Sequence, residues 1–251
     1  MIEIFLIGIG TGNPRHLTLE AITTLNELDL VLLPKKNKNK EDLYKVRKNI
    51  CNSVIKNRKT KIEEYAVPQR SDNFDYFDSV NVWHEKISKN IYKIINKIIN
   101  KIEIKNPKLG FLIWGDPGLY DSNIRIISHM NINFKLKIIS GISSIQELTS
   151  AHLVSLNDIG ESVLITTGRK LKDSMFVDYK KVFVMLDGKC SFKILNFEMF
   201  YIWWGAYLGM KNQILIKGLL KDVNKKIVSE RARARKVNGW IMDSYLLKKI
   251  K

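Results

Sequence analysis

Two strand exits constrain this chain more than any other feature in it. The apolar run Leu109-Gly110-Phe111-Leu112-Ile113 stops in Trp114-Gly115-Asp116-Pro117-Gly118-Leu119-Tyr120-Asp121-Ser122. The N-terminal run Ile4-Phe5-Leu6-Ile7 stops in Gly8-Ile9-Gly10-Thr11-Gly12-Asn13-Pro14. A short apolar run closed by glycine and proline reads as a buried strand. In open α/β sheets ligands bind outside the carboxyl ends of the strands, so two such exits predict one cleft lined by both.

The rest of the first half alternates strand and helix. Strands are predicted at Glu3–Ile7, at Asp29–Leu33 (closed by Pro34), near Ile62–Val67, at Leu109–Ile113 and at Phe134–Ile139. Helices are predicted at Leu17–Leu28, Leu43–Ile55 and near Ser122–Met130, with a surface loop at Lys35–Asp42. Asp78–Ile102 reads as one long amphipathic helix or two, because Ile87, Ile91, Ile94, Ile95, Ile98, Ile99 and Ile102 recur every three or four residues. Strands separated by helices imply a parallel sheet with right-handed crossovers and helices on both faces. In the second half the strands crowd together, at Val163–Thr166, Val182–Leu186, Tyr201–Leu208, Ile214–Lys217 and Trp240–Leu247. One helix interrupts them, at about Asp222–Lys236. That favours a mixed or antiparallel sheet. With 251 residues, near the size at which one core divides, the expectation is two α/β lobes, residues 1–140 and 141–251, with the active-site cleft between them.

Composition narrows the partners less. The net charge is +17, which suits a polyanionic small molecule or nucleic acid. Much of it, however, is lysine interleaved with isoleucine and asparagine throughout the chain. No apolar stretch approaches the roughly 20 residues of a membrane span. Met1-Ile2-Glu3 has no basic signal-type region, and Cys51 and Cys190 form neither a disulfide framework nor a metal pattern. A cytoplasmic protein is expected.

Familiar catalytic patterns are missing. After Gly8-x-Gly10 the third glycine of a dinucleotide fingerprint falls at Asn13, and Pro34-Lys35-Lys36 offers no acid for a ribose. Ser143-Ser144 lacks a nucleophile elbow; it reads instead as a helix start, with either serine as cap and Glu147 available for a capping box. His16, His84, His129 and His152 show no ligand spacing, and each is expected on the surface or as a satisfied core residue. Arg231, Arg233 and Arg235 fan out on a solvated helix. Gly205 and Gly209, in Trp203–Gly209, would let a flat ligand approach the backbone.

Taken in order, the loops resemble the tetrapyrrole methylase family: Gly8 to Pro14, Gly115 to Pro117, and Gly141-Ile142-Ser143-Ser144, before which Ser140 stands where the family has proline. Leu164–Arg169, Val184–Gly188, Trp204–Gly209 and Gly239–Leu247 extend the likeness along nearly the whole chain, toward the branch that acts in cobalamin synthesis. The resemblance implies S-adenosylmethionine as cofactor, leaving as S-adenosylhomocysteine, no metal, and a homodimer. It places the cofactor on Pro14, Trp114, Asp116, Leu119, Ser143, Ser144, Met185 and Gly218, with Ala206 and Leu208 as further wall residues. It further implies methylation of precorrin-5 at C1, with a two-carbon unit leaving as acetate. Methyl transfer from a sulfonium needs mainly alignment, whereas acetate release also needs an acid or base. Tyr120, Asp121 and Arg125 are the catalytic candidates. The substrate would be a polycarboxylate tetrapyrrole, met by lysine and arginine. Competing readings are a methyltransferase of the same fold acting on another precorrin or on ribosomal RNA, and a non-catalytic basic nucleic-acid-binding protein. The RNA and nucleic-acid readings leave Trp204–Gly209 and Trp240–Leu247 without a purpose, so nucleic acid is not the expected partner.

Overall fold

Why the first sheet carries helices on both faces follows from its strand order. The computed structural model describes residues 1–35, 41–70, 76–99, 104–172 and 179–250, and it divides into two compact units, Met1–Ile142 and Ser143–Lys251. The first unit runs β1 (Ile2–Gly8), α1 (Leu19–Glu27), β2 (Leu30–Lys35), α2 (Glu41–Val54), β3 (Lys61–Ala66), α3 (Tyr76–Ile99), β4 (Lys108–Ile113), α4 (Asn123–Ser128) and β5 (Phe134–Ile139). Its five strands are parallel, in the order β3-β2-β4-β1-β5. From β1 to β3 the chain moves toward one edge, and from β3 to β5 toward the other. Right-handed crossovers therefore place α1 and α2 on one face and α3 and α4 on the opposite one.

Alternation along the strands supplies both cores. Ile4, Leu6, Leu32 and Phe111 pack with Ile87, Ile91 and Ile95 of α3 and Ile126 and Ile127 of α4. Phe5, Ile7, Val31 and Leu33 pack with Ala21 and Leu25 of α1 and Ile50 and Cys51 of α2. The isoleucine stripe forms one helix; residues 100–102 of the predicted span, like 36–40 of the predicted surface loop, lie outside the described residues. Pro34 does not close β2 as expected. The strand continues through it to Lys35, paired with β3, while the ladder to β4 stops at Leu32 opposite Phe111. A proline has no N–H to give a ladder, so it is tolerated where pairing on one side has already ended.

The second unit runs α5 (Ser144–His152), β6 (Val163–Thr167), β7 (Lys181–Met185), β8 (Phe200–Ala206), β9 (Ile214–Leu219), α6 (Leu220–Asn238) and β10 (Asp243–Lys249). The sheet order is β6-β7-β10-β8-β9; β6 and β7 are parallel and the other pairs antiparallel. The α/β class, the parallel first sheet and the mixed second sheet are as the sequence predicts.

Local readings at Trp240 and Arg231 change. Trp240 lies outside β10, buried and edge-on to Tyr207, whose hydroxyl donates to the Trp240 carbonyl at 2.5 Å. Arg231 is not solvated. Its guanidinium grips Asp243 from Nε at 2.9 Å and Nη2 at 3.2 Å, and Nη2 also reaches the Asp187 carbonyl. Asp243 takes the Trp204 indole N–H as well, and Asp187 takes the Tyr245 hydroxyl at 2.7 Å and the Ser191 hydroxyl at 2.9 Å. This network ties α6 to the ends of β7, β8 and β10. Arg233, by contrast, is an exposed partner of Glu230.

Candidate active site

Three loops converge at the carboxyl edge of the first sheet. Gly10 and Gly115 exchange backbone hydrogen bonds, linking the exits of β1 and β4. Both have positive φ, 69° and 70°, which glycine adopts without strain. Gly8 and Gly141 leave no room for a side chain between them. A Cβ on Gly141 would stand 2.2 Å from the Gly115 carbonyl oxygen and 2.7 Å from the Gly8 Cα. The glycines are there because no side chain fits.

Asp116 binds this edge together. Its Oδ1 accepts the Gly118 N–H at 2.8 Å within its own turn, and its Oδ2 accepts the Gly141 N–H at 2.9 Å from the exit of β5. Leu119, half-buried, closes the turn by donating its N–H to the Asp116 carbonyl. Pro14 is exposed at the start of a short 3-10 turn whose cap, Asn13, accepts from the Arg15 N–H. Trp114 is half-buried with the Arg47 guanidinium over its ring, 5.9 Å from the centroid.

Of the three catalytic candidates, Tyr120 and Asp121 lie in the loop entering α4 and Arg125 in that helix. Tyr120 is 45% exposed and holds a left-handed backbone, φ 50°, which is costly for a non-glycine residue. Partial burial raises its pKa, so its hydroxyl stays protonated at neutral pH. Asp121 accepts the Asn123 backbone N–H and side-chain amide through Oδ1, at 2.7 and 2.9 Å, and so serves the helix start. Arg125 donates from Nη2 to the Asp121 carbonyl.

Behind this loop lies a residue the sequence reading misjudged. His84 of α3 is 1% exposed and, among the described residues, neither ring nitrogen has a hydrogen-bond partner, so it is not a satisfied core histidine. Burial pulls its pKa down, and Arg125 and His129 push the same way, which keeps the ring neutral.

In the second unit Ser143 caps α5. Its Oγ accepts the Ile145 N–H, and Gln146 Oε1 accepts both the Ser143 N–H and its hydroxyl. Gln146, not Glu147, completes the box, because a cap at Ser143 makes residue 146 the third helical position. Ser144 Oγ is buried with no hydrogen-bond partner among the described residues. Met185 ends β7, its carbonyl accepting the Gly168 N–H at 3.1 Å. Gly218 sits in β9 with φ 156°, where a Cβ would meet Val223 at 2.8 Å. Ala206 and Leu208, expected as cofactor walls, are 0% and 4% exposed. The space beside Gly205, expected to admit a flat ligand, is filled by Leu208 and Leu148, whose methyls lie 2.5 and 2.8 Å from where a Cβ would stand. Here the glycine serves core packing.

A parallel sheet whose glycine loops meet over one edge, followed by a mixed sheet, is the architecture of a methylase family. Residues 3–224 match the model of the tetrapyrrole (corrin/porphyrin) methylases, and the chain belongs to that family. More particularly, it is 40% identical to the precorrin-6A synthase (deacetylating) of a Sinorhizobium species, across 99% of this chain and 96% of that protein. A crystal structure of a cobalamin-synthesis-related protein of Corynebacterium diphtheriae is 34% identical, with a TM-score of 0.84 and complete coverage of both chains. A uroporphyrin-III C-methyltransferase of Thermus thermophilus, complexed with S-adenosylhomocysteine, shares the fold at 14% identity. Its TM-score is 0.61, and the match covers 98% of this chain and 92% of that one.

Proposed function

We propose that this chain is an S-adenosylmethionine-dependent C-methyltransferase of cobalamin biosynthesis that methylates precorrin-5 at C1 and releases acetate to give precorrin-6A. The observation that carries the reading is the end-to-end 40% identity to the deacetylating precorrin-6A synthase. S-adenosylmethionine supplies the methyl group on a sulfonium, and its product is S-adenosylhomocysteine.

The residues proposed to hold it are Pro14, Trp114, Asp116 and Leu119 in the first unit and Ser143, Ser144, Met185, Ala206, Leu208 and Gly218 in the second. The buried Ser144 Oγ fits that role, since a hydroxyl withdrawn from water with no hydrogen-bond partner among the described residues calls for a ligand atom. Asp116 acts chiefly by fixing the loops, and such fixed geometry can supply on the order of 7–11 kcal/mol of the barrier. Ala206 and Leu208, being core residues, contribute backbone and shape.

Acetate release consumes one water and requires a proton to move. Among Tyr120, Asp121 and Arg125, the protonated and exposed Tyr120 is suited to donate, while Asp121 and Arg125 hold the loop from which it acts. The enzyme works as a homodimer in the cytoplasm; among the described residues no helix is long and apolar enough to cross a membrane. The deciding assay supplies purified protein with S-adenosylmethionine and precorrin-5. Equal yields of S-adenosylhomocysteine and acetate are expected, and methyl transfer without acetate overturns the deacetylating assignment.

A further inference from the structure

The connections leaving β2 and β4 diverge, one toward each edge of the sheet, which makes the gap between these neighbours the topological switch point. In open α/β sheets that is where ligands lodge. The ladder between the two strands ends early, at Leu32 opposite Phe111, so the Leu112 carbonyl lies beyond the last paired residues. A side chain takes it: Arg47 of α2 donates from Nε at 3.2 Å, and from Nη1 to the Leu43 carbonyl at 3.4 Å.

Those two bonds occupy two of the five N–H groups of the guanidinium. Among the described residues Arg47 meets no carboxylate within ion-pair distance. Asp121 is near enough to attract it, but its Oδ1 is committed to Asn123. Tyr65 and Cys51, the other side chains that sense Arg47, are buried, and burial lifts both above their ordinary range, so both stay neutral. Burial also works against the Arg47 charge. The cation is held by two hydrogen bonds, partly desolvated, over the face of Trp114 at the switch point, and among the described residues no carboxylate stands within ion-pair distance of it.

We propose that Arg47 is a substrate-binding residue, whose remaining N–H groups receive one carboxylate side arm of the tetrapyrrole. The inference rests on the function proposed above and deepens it by naming the side chain that recognises the substrate's acid groups. A guanidinium fork matches a carboxylate in a way that a lysine does not. The amino-acid carboxylate of S-adenosylmethionine offers the same chemistry, and the test separates the two sources.

Arg47→Met and Arg47→Lys are compared with the wild-type enzyme in precorrin-5 turnover, and in calorimetric binding of S-adenosylhomocysteine. Expected for Arg47→Met is a KM for precorrin-5 raised about 10- to 100-fold, the loss of a charge-assisted pair, with S-adenosylhomocysteine affinity held within about twofold. Arg47→Lys, which keeps the charge and the aliphatic stem, should fall between the two and decides the matter if the methionine variant does not fold. An unchanged KM in Arg47→Lys and in any folded Arg47→Met overturns the proposal. So does weakened S-adenosylhomocysteine binding at constant KM, which would assign Arg47 to the cofactor. So does a fall in kcat and melting temperature without a KM effect, the mark of a purely structural arginine. Wild-type protein that binds no S-adenosylhomocysteine and consumes no precorrin-5 instead removes the functional reading, and this inference with it.

Discussion

Asp116 Oδ2 accepts the backbone N–H of Gly141 at 2.9 Å, joining residues 25 positions apart in sequence and fixing the exit of β4 to the exit of β5. The same carboxylate holds the Gly118 N–H at 2.8 Å. Asp116 thus builds the rim on which the cofactor is proposed to sit.

Asp116→Ala should therefore do two things together. Losing hydrogen bonds to a charged acceptor should cost about 2–3 kcal/mol of stability and weaken S-adenosylhomocysteine binding. Denaturant unfolding and calorimetry read both. Full stability with lost affinity would recast Asp116 as a direct ligand contact.

Gly141→Ala should be worse tolerated, because its Cβ meets the Gly115 carbonyl oxygen at 2.2 Å, and backbone cannot swing aside as a side chain can. A loss of roughly 2–3 kcal/mol or more is expected. Gly188→Ala, where nothing lies within 4 Å, is the matched control and should stay within about 0.5 kcal/mol of the parent. Thermal melts that rank the two equally would contradict the convergence of the three loops.

Ser144→Ala separates stability from binding. Its hydroxyl has no hydrogen-bond partner among the described residues, so removal should leave stability within about 0.5 kcal/mol or raise it slightly, while S-adenosylhomocysteine affinity drops about tenfold. Unaltered affinity would take Ser144 out of the cofactor site.

Acid should destabilise the fold through two buried histidines. His84 and His152 both have pKa values lowered by burial from the ordinary 6.5, His152 although its Nε2 bonds the Trp204 carbonyl. Above the unfolded value both states are neutral and nothing is lost. Below it the unfolded chain takes up protons that the folded one refuses, so stability falls with pH, by at most about 1.4 kcal/mol per pH unit for each histidine. His84→Leu should flatten the acid limb of a melting-temperature profile, and a limb of unchanged slope would show that His84 does not contribute.

Arg231→Met should cost about 3–5 kcal/mol, since it strands the Asp243 carboxylate, whose side chain is 6% exposed. Adding Asp243→Leu should return part of the loss. If the single variant melts with the parent, the bidentate pair contributes nothing to stability.

The sequence was most legible where physics is local. The isoleucine spacing of α3 and the alternating strands announced both cores, and the glycine exits of β1 and β4 announced the edge where the loops meet. Even the misread cap was local: Ser143 and Ser144 both offered oxygens, and which one began α5 determined whether residue 146 or 147 answered. The strand through Pro34 was less legible, because a proline stops a ladder on one side only, and which side faces β4 is a matter of sheet order.

What the sequence by itself determined is the class: two runs of elements, one alternating strand and helix and one crowded with strands, with glycines where backbones must touch. Only the tertiary structure decided what the polar residues do. It gave Asp116 to Gly141, withdrew Arg231 from solvent onto Asp243, filled the space beside Gly205 with leucines, and left His84, Ser144 Oγ and much of the Arg47 fork without hydrogen-bond partners among the described residues. The reason is range. Periodicity and turn chemistry act over a few neighbouring residues, whereas whether a buried polar group finds a partner depends on elements that meet only after the chain has folded.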